Sequence, residues 1–305
     1  MEDQRLGRAF TVRDASAAGM GRGALRNRRF ARPFHGVRVE GSGEGADLRA
    51  RAHALSVRME SGQVFSHLTA AALHGFPLPA RHTDPRADLH ISVFEPQRAP
   101  QLRGVVSHEL KATGQLVTSI ERLAVMGVED TWAQLASSLS PTDLVVVADW
   151  LVTGREPYSG EPPPTTIEAL DRAIARRGRM RGVRTLRVAR DRARYGSLSP
   201  QETRLRLLLQ DEGFPEPALN HRIMSVAGEL VAMVDLAYPD RHVAIEYLGD
   251  HHRTDPHTYR DDILRRERLT AHGWATLFVT ANDLHAPAFL LVRLRRLLAS
   301  TGKVL

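Results

Sequence analysis

The sequence predicts a multidomain α/β protein in three parts: a small basic domain over residues 1–40, an α+β middle region over 50–195 that ends in an arginine-rich helical connector, and a C-terminal mixed-sheet domain over 198–300. Three observations carry this division. A helix, a tight turn, a second basic helix and a hairpin follow one another in the first forty residues. A glycine-containing linker, "GSGEGADLR", occupies 41–49. From Ser199 the pattern becomes helix, strand, strand, helix, strand, helix.

At 305 residues the chain can build two or three cores. Its apolar fraction of 42% and charged fraction of 25% are those of ordinary globular protein. The absence of cysteine excludes disulfides, thiolate metal ligands and a cysteine nucleophile. No stretch reaches the roughly 18 apolar residues of a membrane span. The opening "MEDQRLGRAF" lacks the apolar core of a signal peptide. A cytoplasmic location and no membrane partner are expected. A net charge of +7 is compatible with nucleic acid, and its distribution says more than its sum.

In the N-terminal part, "TVRDASAAG" reads as a helix capped by Thr11 and ended by Gly19. "MGRGALRNRRFA" reads as a second helix and "RPFHGVRVE" as a hairpin or wing. Arg22, Arg26, Arg28, Arg29, Arg32 and Arg38 fall in a stretch without a single acid, and Arg22, Arg26 and Arg29 are spaced for one helical face. A basic second helix after a tight turn is the arrangement that enters a major groove, so double-stranded DNA is the expected partner. The alternative is a solvated basic surface on a small helical cap.

In the middle region, "LRARAHALSVRM" is amphipathic helix, and "GQVFSHLTAAALHGFPLP" a strand end or turn, a helix and a proline stop. "DLHISVF" is a strand with "GVVSHEL" as its neighbour, while "SIERLAVMG" and "EDTWAQLASSLSPTDLVVVADWLV" read as helices. Ser66, His67, Thr69, His74, His90 and His108 are reactive residue types without an evident pairing, and a structural role is favoured for them. Between Asp171 and Arg194 stand ten arginines against two aspartates, a composition that fits either a DNA-facing surface or the solvated face of a connector.

In the C-terminal part, "SPQETRLRLLLQDEGFP" has Ser199 as N-cap, Pro200 at the first helical position and Glu202 as capping acid, with Leu205, Leu208 and Leu209 as the buried stripe. "ELVAMVDLAYPDRHVAIEYLG" reads as a hairpin turning at Asp240–Arg241, a register that sets Asp235 opposite Glu246. Opposed like charges on a sheet are unfavourable, and a divalent cation held by hard oxygen ligands relieves them. The alternatives are a water-exposed strand-end acid at Asp235 and a purely capping role for Glu202. Tyr259 to His272 reads as a helix in which Asp262 and Arg265 share a face, followed by a core strand in "WATLFVT" and a final amphipathic helix.

Glu202, Asp235, "IEYLGDHHR", Asp262 with Arg265, and "GW" before a strand together resemble the PD-(D/E)xK nuclease superfamily, in the branch similar to very-short-patch repair endonucleases, over about 198–285. The first forty residues resemble the winged-helix domain of AbiEi-type antitoxins, and the region to about 150 is similar to such proteins as well. The resemblance implies a restriction-endonuclease-like C-terminal fold. It implies Mg²⁺ held by Asp235 and Glu246, support from Glu202, His252 near the attacking water or the leaving oxygen, and Arg265 at a phosphate or paired with Asp262. It also implies a cognate toxin as protein partner. The chain departs from the pattern at Leu248, where a third polar residue is usual. Asp250 and His252 lie beyond that strand face. His252, with a usual pKa near 6.5, has the chemistry to handle a proton in phosphodiester hydrolysis. Three functions follow: an antitoxin-like DNA-binding regulator with a nuclease-like tail, an active Mg²⁺-dependent endonuclease, or a non-catalytic interaction scaffold. The oligomeric state is not legible in the sequence.

Overall fold

The computed structural model describes residues 8–41, 46–249 and 256–300, the side chains of 256–263 excepted. The chain forms two compact units: Met1–Val147 with Thr165–Asp191, and Ala148–Pro164 with Arg192–Leu305. Residues 148–164, which the sequence groups with the middle region, thus join the C-terminal unit. Among the described residues no helix is long and apolar enough to cross a membrane.

The first unit opens with β1 (Ala9–Thr11) and α1 (Val12–Ala17), capped by the Thr11 side chain. Strands β2 (Phe30–Ala31) and β3 (Val37–Glu40) complete a three-stranded sheet in the order β1-β3-β2. The expected second helix over 20–31 is corrected to a single 3₁₀ turn at Ala24–Arg26. Gly21 and Gly23 make its start costly. At its end the Asn27 side chain accepts from the Arg29 N–H at 3.0 Å, a local bond that competes with helix. Arg22, Arg26 and Arg29 therefore do not share a helical face. A small cluster of Phe10, Ala15, Leu25 and Phe30 fills this corner. Phe34 and Val37 instead enter the core of the following region.

That region holds α2 (Leu48–Ser56), β4 (Val64–Phe65), α3 (His67–Leu73), β5 (Leu89–Phe94), β6 (Val105–Leu110), β7 (Val117–Ile120) and β8 (Leu123–Met126). Its five-stranded sheet has the order β6-β5-β4-β8-β7. As expected, β5 and β6 are neighbours, and they run parallel. The helix expected over "SIERLAVMG" is corrected to the β7–β8 hairpin. Its two turn residues, Glu121 and Arg122, have φ of 49° and 68°, the left-handed pair that matches strand twist. Glu121 accepts from Arg49 Nη1 at 2.8 Å, fastening the turn to α2. Tertiary contacts of this kind override a helix-compatible composition. Helices α4 (Val128–Gln134), α7 (Ile167–Arg177) and α8 (Val183–Arg192) belong to the same unit. Helix α5 (Pro141–Thr153) runs across the boundary, and the short α6 (Glu156–Ser159) follows it.

In the second unit α9 (Pro200–Asp211) precedes β9 (Ala218–Met224), β10 (Leu230–Tyr238) and β11 (Val243–Tyr247). Then come α10 (Pro256–Ala271), β12 (Ala275–Val279), α11 (Ala281–His285) and α12 (Ala288–Ser300). The sheet order is β12-β11-β10-β9, with β11 and β12 parallel and the other pairs antiparallel. This is the mixed sheet flanked by helices that the sequence predicts. Strand β9 is additional, a half-buried edge strand whose polar residues hide its alternation. Leu205 and Leu209 of α9 and Leu290, Leu291 and Leu294 of α12 pack with Leu236, Ile245, Leu277 and Val279. Leu207 is buried and Leu208 only partly so, which widens the expected stripe.

One polar network sits inside this apolar frame. The Asp149 carboxylate, fully buried on α5, accepts from Arg206 Nη2 at 2.8 Å, Thr203 Oγ1 at 2.8 Å and the Arg194 N–H at 2.7 Å. Arg206 is fully buried as well and also donates to the Arg192 carbonyl at 2.9 Å. Removing one partner of a buried pair strands the other charge. Asp149→Ala is therefore expected to lower stability by about 3–5 kcal/mol, read as a shift of the denaturant midpoint. Arg122→Gly removes a left-handed strain worth about 1 kcal/mol and is expected to move that midpoint the other way.

Candidate active site

The β10–β11 connection spans Pro239–Arg241 as a 3₁₀ turn, with His242 in a left-handed conformation. Leu236 pairs with Ile245, Ala237 with Ala244 and Tyr238 with Val243. This is the expected register, and continued by one residue it sets Asp235 against Glu246. Asp235 Oδ2 accepts from the Tyr247 N–H at 2.7 Å, across the two strands. Glu246 is buried, and both its oxygens accept from Arg265: Nε to Oε1 at 2.9 Å and Nη2 to Oε2 at 3.2 Å. Arg265 Nη2 also donates to the Met233 carbonyl. A bidentate guanidinium–carboxylate pair is strong and geometrically specific.

Glu202 enters from the first turn of α9. Ser199 caps that helix, accepting from the Glu202 N–H at 3.2 Å. The Glu202 carboxylate reaches past the cap to accept from the Leu198 N–H at 2.9 Å and from Asn220 Nδ2 at 2.9 Å. Burial and then the Asp235 carboxylate push the Glu202 carboxyl up to about 7, against the Leu198 N–H and the Asn220 and Ser199 side chains. Asn220, Asp235, Glu246, Leu248 and Arg265, with Tyr158 from the segment after α5, line a cavity of about 290 Å³. The structure thus brings together the neighbourhoods of Glu202, Asp235, Glu246 and Arg265. His252 lies outside the described residues, as does the side chain of Asp262. The residues that sequence reasoning missed here are Asn220 and Tyr158.

The hard-ligand set does not close on one point. Among the described residues, the one group of three metal-ligand side chains whose donor atoms all lie within 4.8 Å of one another is His67, His90 and His108, in the first unit. His67 begins α3 with φ 51°, and its ring stacks on His108 at 3.7 Å between centroids. His90 Nδ1 and His108 Nε2 are 3.0 Å apart. Ser66 makes no cap bond to its helix. Its Oγ lies 3.0 Å from His67 Nδ1 and accepts from Ser92 Oγ at 2.7 Å. Burial pushes His67 down to about 2, with the charges of His108, His90 and Arg177 adding to the shift. It pushes His90 down to about 4, helped by His108 and opposed by Asp88, and lowers His108 too. Part of the signal was in the sequence, where the neighbouring strands "DLHISVF" and "GVVSHEL" each carry a histidine; the parallel register of the structure puts the two on one face.

Of the basic residues expected to meet DNA, Arg22, Arg26, Arg28, Arg29 and Arg32 are exposed. Arg38 is half-buried, its Nε donating to the Leu25 carbonyl at 2.9 Å. Arg32 Nη2 donates to the Arg26 carbonyl at 2.9 Å, and the Arg29 guanidinium lies 4.6 Å from the Phe30 ring centre.

No family model matches the chain, and no solved structure does. Two uncharacterised proteins from two strains of Mycobacterium tuberculosis are each 26% identical to it over 280 residues, covering 89% of this chain and 93% of theirs. A match of that length includes residues of both units.

The Glu202 shift has a signed consequence. Its folded pKa of about 7 stands above the ordinary value of 4.5. The folded state therefore holds the extra proton between those values, and stability falls as pH rises through that window. Glu202→Gln is expected to remove this fall, about 3 kcal/mol in full, seen by comparing chemical denaturation of the two proteins from pH 4.5 to 8.

Proposed function

We propose that the protein binds double-stranded DNA and that its C-terminal unit is a Mg²⁺-dependent phosphodiester-hydrolysing site on a restriction-endonuclease-like sheet. The observation that carries this reading is the register that sets Asp235 against Glu246, with Glu202 hydrogen-bonded to the Asn220 of their cavity and Arg265 on its wall. Three carboxyl groups against one guanidinium leave an excess of negative charge. A proton on Glu202 removes one of the two excess charges, and a divalent cation near Asp235 would offset both. Asp235 and Glu246 are the residues that would hold Mg²⁺, which supplies polarisation of the phosphoryl group and an activated water. Arg265 supplies the positive charge that Leu248 lacks, and in hydrolysis it exchanges the Glu246 carboxylate for a phosphate oxygen. A second groove of about 530 Å³ shares Asn220 and Met233 with this cavity; of its two arginines, Arg194 is paired with Glu216 on the same wall at 2.8 Å, which leaves Arg222 as the cation that offers itself to a phosphate.

In this reading the N-terminal sheet with its exposed arginines is the winged-helix-like DNA contact, phosphate-directed because its basic turn is too short to read a groove. The protein works in the cytoplasm. A second reading, an antitoxin-like regulator whose nuclease fold no longer cleaves, is favoured by one feature: Arg265 engages both Glu246 oxygens, the ones a metal would need. A cognate toxin is the partner this second reading requires.

Cleavage of supercoiled plasmid with Mg²⁺ or Mn²⁺ separates the two. Metal-dependent nicking that disappears in the Asp235→Ala, Glu246→Ala double variant is expected. Intact plasmid with retained DNA binding replaces the nuclease by the regulator. In either case Arg26→Ala with Arg29→Ala is expected to weaken binding across sequences and to reduce the salt slope by about 2.

A further inference from the structure

We propose that His67, His90 and His108 form a binding site for a transition-metal ion of the zinc class, separate from the carboxylate site of the C-terminal unit. His90 on β5 pairs with Val106, and His108 on β6 pairs with Ser92, so the two rings stand on one face two residues apart. His67 reaches the same place from the start of α3, which is bound to β5 by the Ser66 N–H to the His90 carbonyl at 3.0 Å and the His90 N–H to Thr69 Oγ1 at 2.7 Å. A left-handed backbone at a buried, non-glycine residue persists where the surroundings over-determine it. At His67 that conformation accompanies a ring stacked on His108.

The donor spacing suits a small ion. Nitrogens on a tetrahedral zinc, with Zn–N of about 2.0–2.1 Å, stand about 3.3–3.4 Å apart. The His90–His108 pair is at 3.0 Å and the whole set within 4.8 Å. Ser66, itself held by Ser92, fixes the His67 ring through Nδ1, the outer-shell bond that orients metal-ligating histidines. A set of imidazoles alone selects zinc, copper, nickel or cobalt rather than magnesium or calcium.

The chemistry also specifies the fourth ligand. The Arg177 charge bears on His67, and its Nε is buried without a hydrogen-bond partner. A lone cation there opposes metal binding unless an anion stands between them. An anionic oxygen ligand in the fourth position would offset that charge.

The test uses the untagged full-length chain, stripped with chelator and titrated with Zn²⁺ by calorimetry and with Co²⁺ by visible absorption. One equivalent per chain is expected, with the intense visible bands of low-coordinate Co²⁺. His90→Gln and His108→Gln, checked for folding by circular dichroism, are expected to lose more affinity than the roughly 10–100-fold that removal of an outer-shell partner costs. The Asp235→Asn, Glu246→Gln variant is expected to bind Zn²⁺ as the wild type does. Independently of any variant, Zn²⁺ shifts the ring resonances of His67, His90 and His108 together. Absence of saturable binding, binding unchanged in a folded His108→Gln protein, or zinc shifts confined to other histidines each overturns the proposal.

Discussion

Arg206 and Asp149 carry opposite charges into a fully buried place, and the C-terminal unit is arranged around keeping them together. Burial pushes the Asp149 carboxyl up, while Arg206, the Arg194 N–H and Thr203 pull it back. Only the full set of donors makes a buried carboxylate tolerable. Those donors come from α9 and from the segment that leads into it. The end of α5 thus fixes where α9 begins. Glu202 lies one residue before Thr203 on that helix, so its approach to Asn220 is set by the same clamp.

The two units concentrate different donor chemistries. In the C-terminal unit the Glu246 carboxylate meets one guanidinium, and Glu202, raised by burial and by Asp235, holds its proton up to about pH 7. In the first unit three neutral imidazoles gather beside Arg177 with no carboxylate within the set. Hard oxygen ligands and imidazoles prefer different ions.

Much of the C-terminal sheet was legible because period-two alternation and a short turn fix register together. The pairing of Asp235 with Glu246 follows from those alone, even though the turn is longer than two residues. What was not legible depends on distance along the chain. Sequence reasoning left Arg265 at a phosphate or paired with Asp262, three residues away; its pairing with Glu246, nineteen away, is a contact no local spacing announces. The three histidines come from three elements, so no local spacing announces them. At residues 20–31 and 119–126 the composition permits helix, but glycines and Asn27 in one case and the Arg49–Glu121 contact in the other decide against it. The coarse arrangement of an N-terminal α/β region and a C-terminal mixed sheet is what the sequence predicts and the structure has.

The discontinuity of the C-terminal unit sets an order of events during synthesis. Asp149 leaves the ribosome 57 residues ahead of Arg206. At about 5–20 residues per second the wait is roughly 3–11 s. Throughout that interval the Asp149 carboxylate stands without its guanidinium, while residues 165–191 of the first unit are themselves still being made. The same discontinuity means that a fragment cut at the apparent boundary near 198 carries Arg206 without its acid. The piece of this protein that folds as the C-terminal unit begins fifty residues earlier than its sequence pattern suggests.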